Sequence, residues 1–243
     1  MKNCSEKPSL RQKITTTLWN ISQDPLITNL ISFIFRCITP PLRINPSGLN
    51  WLNLGCGPEY VDGFINVDFF TSRFRKDYSA DLRYPLKIPS EAINGIFSEH
   101  TIEHLSYSQV DILLAECYRI LKPGGVIRLI TPDMRTIIKE YISNNSPWFN
   151  EWERIMFKES KDLARKQRVL HTPLQAISFL AQENGHLSLW DEETLCFFLQ
   201  RNNFSNIQKE TFRQGREKKL LIDLDNPARK LISLYIEAEK KKS

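Results

Sequence analysis

The stretch Trp51-Leu52-Asn53-Leu54-Gly55-Cys56-Gly57 decides the fold of this 243-residue chain. An apolar strand runs directly into a Gly-x-Gly turn, where the missing side chains let a ligand approach the backbone closely. Asp68 closes the next predicted strand, and a carboxylate there can accept hydrogen bonds from both hydroxyls of a ribose. The alternative for Asp68 is an acid that only terminates a strand. Together the turn and the acid predict a nucleotide-type cofactor site.

The connection between these two strands distinguishes two cofactors. Only six residues, Pro58 to Gly63, join the turn to the second strand, whereas a helical crossover usually takes a dozen or more. Six extended residues reach roughly 20 Å, enough to return along a strand of about 17 Å, so a parallel pair remains possible. A dinucleotide pyrophosphate needs the missing helix N-terminus, and Tyr60 replaces the third glycine of Gly-x-Gly-x-x-Gly. S-adenosylmethionine has no phosphate, so the residues favour it over NAD.

Strand and helix patterns alternate from residue 50 onward, which predicts a doubly wound α/β fold with a mostly parallel sheet. The clearest helix runs from Gln109 to Leu121, with a capping box formed by Ser106 and Gln109. A second predicted helix, near Glu192 to Arg201, is capped by Asp191. The predicted strands are Trp51 to Leu54, Phe64 to Phe69, Ser79 to Leu82, Gly95 to Ser98, Val126 to Thr131, Ile207 to Phe212 and Leu231 to Glu239.

The predicted organisation is one cofactor-binding domain, residues 46–243, preceded by a helical extension, residues 1–45. Within the domain, residues 134–190 form a long insert with few turn residues, which predicts a helical cover. The extension has apolar residues at helical spacing within residues 10–38, and Pro40-Pro41 ends this helix. We interpret it as a lid or brace. Contact of residues 26–38 with a membrane surface or a dimer partner is the less favoured alternative.

Composition limits the compartment and the partners. The net charge of +5 is too small to indicate nucleic acid binding. The five cysteines form no Cys-x-x-Cys pair, and the polar start of the chain does not resemble a secretory signal, so we expect a reducing cytoplasm. The longest apolar stretch, Leu26 to Ile38, is too short and too interrupted to span a bilayer. The oligomeric state is left open.

Five motifs in order carry a family resemblance, and together they cover about residues 50 to 133. The chain resembles class I S-adenosylmethionine-dependent methyltransferases of the type 11 group, with weaker likeness at Gly185-His186 and the final strand. The resemblance implies a Rossmann-like seven-stranded sheet whose last strand is antiparallel. The motifs are Leu52 to Pro58, Gly63 to Asp68, Ala80 to Leu82, Ser98 to His104 and Glu116 to Gly125.

The resemblance also implies a set of cofactor-binding residues. Gly55, Cys56 and Gly57 would lie beside the amino acid part of the cofactor, and Asp68 would bind the ribose. Asp81 and Leu82 would lie at the adenine, where a carboxylate can accept from the amino group. The alternative for Asp81 is that it is only a polar residue at the end of a strand. The segment from Ser98 through Glu99 to His100 would lie near the sulfonium.

The sequence His100-Thr101-Ile102-Glu103-His104 supports a second function. It fits the His-x-x-Glu-His pattern of inverted zinc peptidases, in which two histidines one helical turn apart bind zinc and the glutamate is the base. We therefore keep a zinc-dependent hydrolase as one alternative and a non-catalytic S-adenosylmethionine-binding protein as another. In the methyltransferase interpretation no metal is expected, and Glu103 and His104 cap and orient the loop.

Methyl transfer is an in-line displacement, so the protein mainly positions the two reactants and excludes water. A hydroxyl or amine acceptor must also lose a proton, and His100 or His186 is the candidate base. His186 has the alternative of an ordinary loop histidine. The expected acceptor is a small molecule or a glycan- or lipid-linked group, selected by the insert and the N-terminal helix.

Overall fold

The computed structural model of the chain describes residues 25–45, 48–70, 72–158, 170–183 and 185–242. The chain divides into two compact units, residues 1–40 and 41–243. In the first unit, helix α1 spans Pro25–Ile38 and ends before Pro40, as predicted. The remainder of the predicted N-terminal helix and extension, residues 1–24, lies outside the described residues. Within the described ranges, no helix has both the length and the apolar character needed to span a membrane.

The second unit is built on a seven-stranded sheet with the order β3-β2-β1-β4-β5-β7-β6. β7 lies between β5 and β6 and is antiparallel to both, while the pairs from β3 through β5 are parallel. The predicted mostly parallel α/β sheet with an antiparallel last strand is therefore confirmed. The strands are β1 (Trp51–Leu54), β2 (Ile65–Asp68), β3 (Tyr78–Ser79), β4 (Ile93–Glu99), β5 (Leu121–Pro132), β6 (Ser205–Glu210) and β7 (Ser233–Glu239).

Several strand boundaries differ from the predicted ones. The last strand begins two residues later than predicted, because helix α7 (Pro227–Ile232) precedes it. Asn226 caps that helix by accepting the Arg229 amide, and Pro227 at the first helical position fits its fixed backbone angle. β3 ends at Ser79, before the predicted Ala80-Asp81-Leu82 segment, and β5 begins at Leu121, where the apolar pattern predicts a helix end.

The short connection between β1 and β2 is held by two buried asparagines instead of a helix. Asn66 accepts the Val61 amide at 2.9 Å and donates to the Val61 carbonyl at 3.0 Å. Asn53 donates to Asn66 and to the Glu59 carbonyl, each at 3.0 Å. The strands pair in parallel, with Leu52 opposite Ile65. The predicted parallel pair without a helical crossover is therefore confirmed.

The helices α2 (Tyr107–Ile120) and α6 (Glu192–Arg201) pack on one face of the sheet. The α2 capping box between Ser106 and Gln109 is present as predicted, and Asp191 caps α6. On the other face, Phe97 and Tyr235 pack with Phe64, Leu220 and Ile222, which come from loops and a 3₁₀ turn at Lys218–Leu220. Both faces of the central strands are thus buried, which leaves the strand ends to form a site.

The described part of the predicted insert is helical. It contains α3 (Met134–Ile142), α4 (Ser146–Glu153), α5 (Pro173–Ser178) and two π-helical turns, Arg154–Lys158 and Phe179–Glu183. Residues 159–169 and 184 lie outside the described residues. Apolar side chains of the insert form a second core, whose buried members include Met134, Ile137, Phe149, Trp152, Phe157, Phe179, Leu180 and, from α7, Ile232.

Candidate active site

The Gly-x-Gly turn lies at the carboxyl end of β1, and both glycines have positive φ, 69° at Gly55 and 50° at Gly57. The amides of Gly55 and Cys56 donate to the Val67 carbonyl on β2, which fixes the turn against the neighbouring strand. A Cβ added at Gly55 would lie 2.3 Å from the Thr101 side chain, whereas one at Gly57 would meet no atom within 4 Å. Gly55 is therefore required by packing, and Gly57 presents open backbone.

Asp68 lies at the carboxyl end of β2, beside the same turn. Its Oδ1 accepts the Phe69 amide at 2.8 Å. Burial raises the pKa of the Cys56 thiol to about 11, and the nearby Asp68 carboxylate adds to this increase. Cys56 is therefore a neutral thiol at neutral pH, which does not act as a nucleophile. The structure brings Gly55, Cys56, Gly57 and Asp68 together, as the predicted cofactor role requires.

Asp81 and Leu82 follow β3 and are buried. The Asp81 carboxylate accepts hydrogen bonds from Arg83, from its Nε at 2.9 Å, its Nη2 at 2.7 Å and its backbone amide at 3.0 Å. Leu82 packs in the main core. An adenine amino group at Asp81 would share these carboxylate oxygens with Arg83, so the adenine role of both residues stays a prediction.

The carboxyl end of β4 carries the next predicted site residues. Ser98 is buried and donates to the Leu54 carbonyl at 3.0 Å, which links β4 to the end of β1. Glu99 turns toward the C-terminal segment, where it accepts the Leu224 amide at 3.0 Å and lies 3.1 Å from Arg229 Nη1. Ser98 therefore contacts the backbone at the start of the glycine turn, and the negative charge of Glu99 is paired with Arg229.

His100 occupies a left-handed backbone conformation with φ of 50°. Its Nε2 lies 2.8 Å from Ser233 Oγ, and its Nδ1 lies 3.1 Å from Glu103 Oε1. Both ring nitrogens therefore have polar neighbours, and the ring is held between β7 and the following turn. This places His100 at the edge of the site, where the β4 end meets the C-terminal strand.

Glu103 is almost fully buried in a 3₁₀ turn that follows β4, Ile102–His104. Its Oε2 accepts from Thr131 at 3.3 Å, and Oε1 receives no well-aligned hydrogen bond from any described residue. Burial by itself would raise the pKa of this carboxyl, but the adjacent rings of His100 and His104 outweigh burial and lower the pKa. Glu103 is therefore a buried carboxylate.

His186 is brought to this turn by the segment that ends the insert. The amides of Leu187 and Ser188 both donate to the Glu103 carbonyl, at 2.7 and 3.2 Å. The rings of His104 and His186 lie 4.8 Å apart in an edge-to-face arrangement. Burial lowers the pKa of His186, and the Glu103 carboxylate only partly offsets this, so the ring is neutral at neutral pH.

A cavity of about 300 Å³ opens at this place, next to the carboxyl end of β4. Its lining combines polar and apolar side chains, which suits a molecule with both kinds of surface. The polar lining residues are His100, Glu103, His104, His186, Asn226 and Arg229, and the apolar ones include Met156, Leu180 and Ile232.

The model of a methyltransferase domain family matches residues 26–209 of the 243-residue chain. The chain belongs to this methyltransferase family. Its membership confirms the predicted class I methyltransferase and S-adenosylmethionine as the cofactor. No curated protein matches the sequence significantly.

Several solved structures are similar to this methyltransferase. One is an S-adenosylmethionine-dependent methyltransferase from Archaeoglobus fulgidus, 19% identical, which covers 87% of this chain and 94% of its own with a TM-score of 0.44. Another, from Mesorhizobium loti, is 18% identical and covers 85% and 95%, with a TM-score of 0.42. The Haemonchus contortus phosphoethanolamine N-methyltransferase 2 is 15% identical, with a TM-score of 0.43. The match covers 88% of this chain and 52% of that enzyme, about half of its length.

The zinc peptidase pattern is present in the sequence of this methyltransferase, but its geometry is absent. That pattern needs two histidines one turn apart on an α-helix, whereas His100 precedes a three-residue 3₁₀ turn in a left-handed conformation. The histidine that joins Glu103 and His104 is His186 instead. The structure therefore does not support the hydrolase alternative that uses His100 and His104.

Sequence reasoning missed two features of this methyltransferase site. Thr101 packs on the glycine turn and donates to the carbonyls of Leu54 and Gly55, but a threonine two residues after the end of a strand carries no distinctive signal. In the methyltransferase interpretation, Glu103 and His104 have only a capping role, because their partner His186 is distant in sequence. The likeness at Gly185-His186 was the available signal for that partner.

Proposed function

We propose that this methyltransferase transfers the methyl group of S-adenosylmethionine to a hydroxyl or amine of a small molecule, or of a glycan- or lipid-linked acceptor. The observation that carries the proposal is the cavity of about 300 Å³ beside the carboxyl end of β4. In parallel α/β sheets, ligands bind in the crevice at the carboxyl ends of the strands. The Gly-x-Gly turn and Asp68 lie at the neighbouring strand ends, so cofactor and acceptor would meet at β4.

The cofactor half of this site would use the glycine turn for the amino acid part and Asp68 for the ribose. Asp81, Leu82, Ser98 and Glu99 complete the proposed set at the adenine and the sulfonium. The open space at Gly57 supports close approach of the cofactor to the backbone. The reaction needs no phosphate site, which agrees with the absence of a crossover helix after this turn.

The acceptor half would hold the nucleophile in line with the methyl group. The acceptor electron pair forms the new bond to the methyl carbon, while the bond to sulfur breaks and S-adenosylhomocysteine leaves. Of the two predicted bases, we favour His100, because it lies at the end of β4 between Ser233 and Glu103. His186 is less suited, since it comes from the end of the insert instead of directly following β4, and its ring lies against His104.

We also propose that the enzyme acts in the cytoplasm and binds no nucleic acid. A reducing compartment is supported by Cys37, Cys56, Cys117 and Cys196, which are all free thiols among the described residues. Membrane contact through residues 26–38 remains the less favoured proposal.

The first experiment is a calorimetric titration of the full chain with S-adenosylhomocysteine, alongside NAD. We expect micromolar binding of S-adenosylhomocysteine and none of NAD. Asp68→Ala should abolish this binding, whereas Asp62→Ala removes the same charge from an exposed position of the same region and should leave it unchanged. Normal unfolding curves for both variants would show that folding is intact. Equal binding by both variants would overturn the assignment of Asp68.

The second experiment screens acceptors with isotopically labelled S-adenosylmethionine. Once an acceptor is found, His100→Ala should lower turnover by at least about 100-fold, the usual contribution of a general base, with unchanged S-adenosylhomocysteine affinity. The control is His171→Ala, which alters an exposed histidine of the insert away from the cavity. Unchanged turnover in His100→Ala would remove His100 from the reaction.

A further inference from the structure

We propose that Glu103, His104 and His186 bind a divalent first-row transition metal ion, and that this ion binds the oxygen of a hydroxyl acceptor in the cavity. The second part of this inference rests on the proposed methyl transfer; the metal site itself does not. The three side chains offer one carboxylate oxygen and two imidazole nitrogens, all within 4.8 Å of one another. Two histidines and one carboxylate form the ligand set of many catalytic zinc and iron sites.

Backbone carbonyls face one ring nitrogen of each histidine and leave the other nitrogen available to a metal. His186 Nδ1 lies against the Leu180 carbonyl, and His104 Nδ1 lies 3.4 Å from the Gly185 carbonyl. A carbonyl only accepts hydrogen bonds, so each Nδ1 carries the hydrogen and each Nε2 keeps its lone pair. Metal-binding histidines are usually oriented in this way by a carbonyl or carboxylate on the other ring nitrogen.

The environment of the Glu103 carboxylate favours binding of a cation. Glu103 is almost fully buried, and its Oε1 lies 3.1 Å from His100 Nδ1 without a well-aligned hydrogen bond. A buried carboxylate oxygen that lacks a hydrogen bond is costly, and a bound cation would remove that cost. Arg229 also lines the cavity, but its guanidinium pairs with Glu99, at 3.1 Å.

The three ligand atoms need to move only slightly closer together to bind one ion. Two ligands at about 2.1 Å from one ion are at most about 4.2 Å apart, compared with the limit of 4.8 Å here. The His104 side chain is exposed, so we expect it to make this adjustment. His186 is fixed more firmly, because the following two amides donate to the Glu103 carbonyl.

A metal at this place would select the acceptor. Three protein ligands leave at least one coordination position open toward the cavity. A hydroxyl bound there would lose its proton more readily, and its oxygen would then attack the methyl carbon. The released proton passes to His100 or water, the bond to sulfur breaks, and S-adenosylhomocysteine leaves. The inference therefore favours an oxygen acceptor over an amine.

Metal binding is tested on the full untagged chain, stripped with a chelator and titrated with Zn²⁺ or Co²⁺ by calorimetry, without any cofactor. We expect one ion per chain and a higher melting temperature with the ion. We expect at least about 100-fold weaker metal binding in each of His104→Ala, Glu103→Gln and His186→Ala. Losing a residue that only hydrogen-bonds to a metal ligand costs up to about 100-fold, and losing a ligand itself should cost no less. His171→Ala is the control, since this exposed histidine lies away from the cluster.

His104→Ala is the decisive variant, because its side chain is exposed and its loss should not affect folding. The variant should lose the metal-dependent rise in melting temperature and keep its affinity for S-adenosylhomocysteine. Failure of the wild type to bind one ion per chain, or equal affinity in wild type and His104→Ala, would overturn the metal site. If the wild type binds the metal ion but does not bind S-adenosylhomocysteine, the proposed methyl transfer would be overturned instead.

Discussion

At the residue scale, Gly55 and Gly57 of the cofactor turn have different structural roles. Both have positive φ, which costs an L-residue roughly 1–2 kcal/mol. Only Gly55 also faces a neighbour, since a Cβ there would lie 2.3 Å from Thr101. A substitution at Gly55 therefore disturbs the junction between β1 and the turn after β4. One at Gly57 reaches only the open space that we assign to the cofactor.

We predict that Gly55→Ala lowers the free energy of unfolding by about 3 kcal/mol, as backbone strain and a steric clash combine. Gly57→Ala should cost only about 1 kcal/mol but weaken S-adenosylhomocysteine binding by more than about tenfold. Urea unfolding and calorimetry measure the two effects separately. Equal stability loss in both variants would show that contact with Thr101 is unimportant.

Tyr235 gives a pH-dependent prediction at the same scale. Burial, with added repulsion from Asp223 and Glu99, raises the pKa of Tyr235 to about 12, whereas an unfolded tyrosine titrates near 10. The folded state thus keeps its proton where the unfolded state loses it. The Tyr235 contribution to stability is complete below pH 10 and is lost as pH rises from 10 to about 12.

This prediction is measured by urea unfolding of the wild type and Tyr235→Phe at several pH values. Above pH 10, the wild type should lose up to about 1.4 kcal/mol per pH unit more than the variant. Identical pH profiles for the two proteins would contradict the assigned pKa.

At the scale of elements, the connection between β1 and β2 is held by two asparagines, of which Asn66 makes more of the hydrogen bonds. Asn66 is fully buried and pairs with Val61, Asn53 and the Asp77 carboxylate. These bonds replace the helix that usually covers such a crossover. Without them, the six-residue link would leave several buried backbone groups unpaired, and each unpaired group costs about 1–3 kcal/mol.

We therefore predict that Asn66→Ala lowers the free energy of unfolding by about 3 kcal/mol or more. Tyr60→Phe is the matched control, because it removes an exposed hydrogen bond to Asp77 in the same region and should cost less than about 1 kcal/mol. Both are measured by urea unfolding with S-adenosylhomocysteine absent. Similar costs for the two variants would show that the link is held by something else.

At the scale of the whole molecule, a buried charge cluster joins distant parts of the second unit. Arg128 on β5 is fully buried and contacts Asp223 at 2.5 Å and Glu237 on β7 at 3.0 Å. It also donates to the carbonyls of Thr211 and Gln214, which precede the 3₁₀ turn that covers the sheet. One guanidinium thus organises β5, β7 and the segment on the second face.

Arg128→Ala should destabilise the fold by about 3–5 kcal/mol, because it removes the buried guanidinium from Asp223 and leaves Glu237 with only the more distant Arg216, at 3.8 Å. Lys209→Ala removes an exposed ion pair with Glu192 at 2.9 Å and should cost less than about 1 kcal/mol. Thermal and urea unfolding of both variants check this contrast. A cost for Arg128→Ala no larger than that for Lys209→Ala would contradict the structural role of the cluster.

Contacts between distant parts of the chain explain why the site was only partly predictable from the sequence. Gly55, Gly57 and Asp68 follow strands, and strand ends of a parallel sheet meet at one edge, so local patterns suffice to bring them together. His186 reaches Glu103 only because the end of the insert crosses the turn after β4. No periodicity in the sequence encodes that crossing, and Arg83 at Asp81 and Arg229 at Glu99 were equally unforeseen.

The sequence by itself determined the sheet, the family and the cofactor, because these depend on alternating apolar segments and on short motifs of neighbouring residues. It also predicted the capping of α2 and α6, which are local hydrogen bonds. Only the tertiary structure decided how Glu103, His104 and His186 meet in one cavity and how two asparagines replace a helix. These arrangements depend on contacts between residues far apart in the chain, whose geometry is fixed by packing and not by local preference.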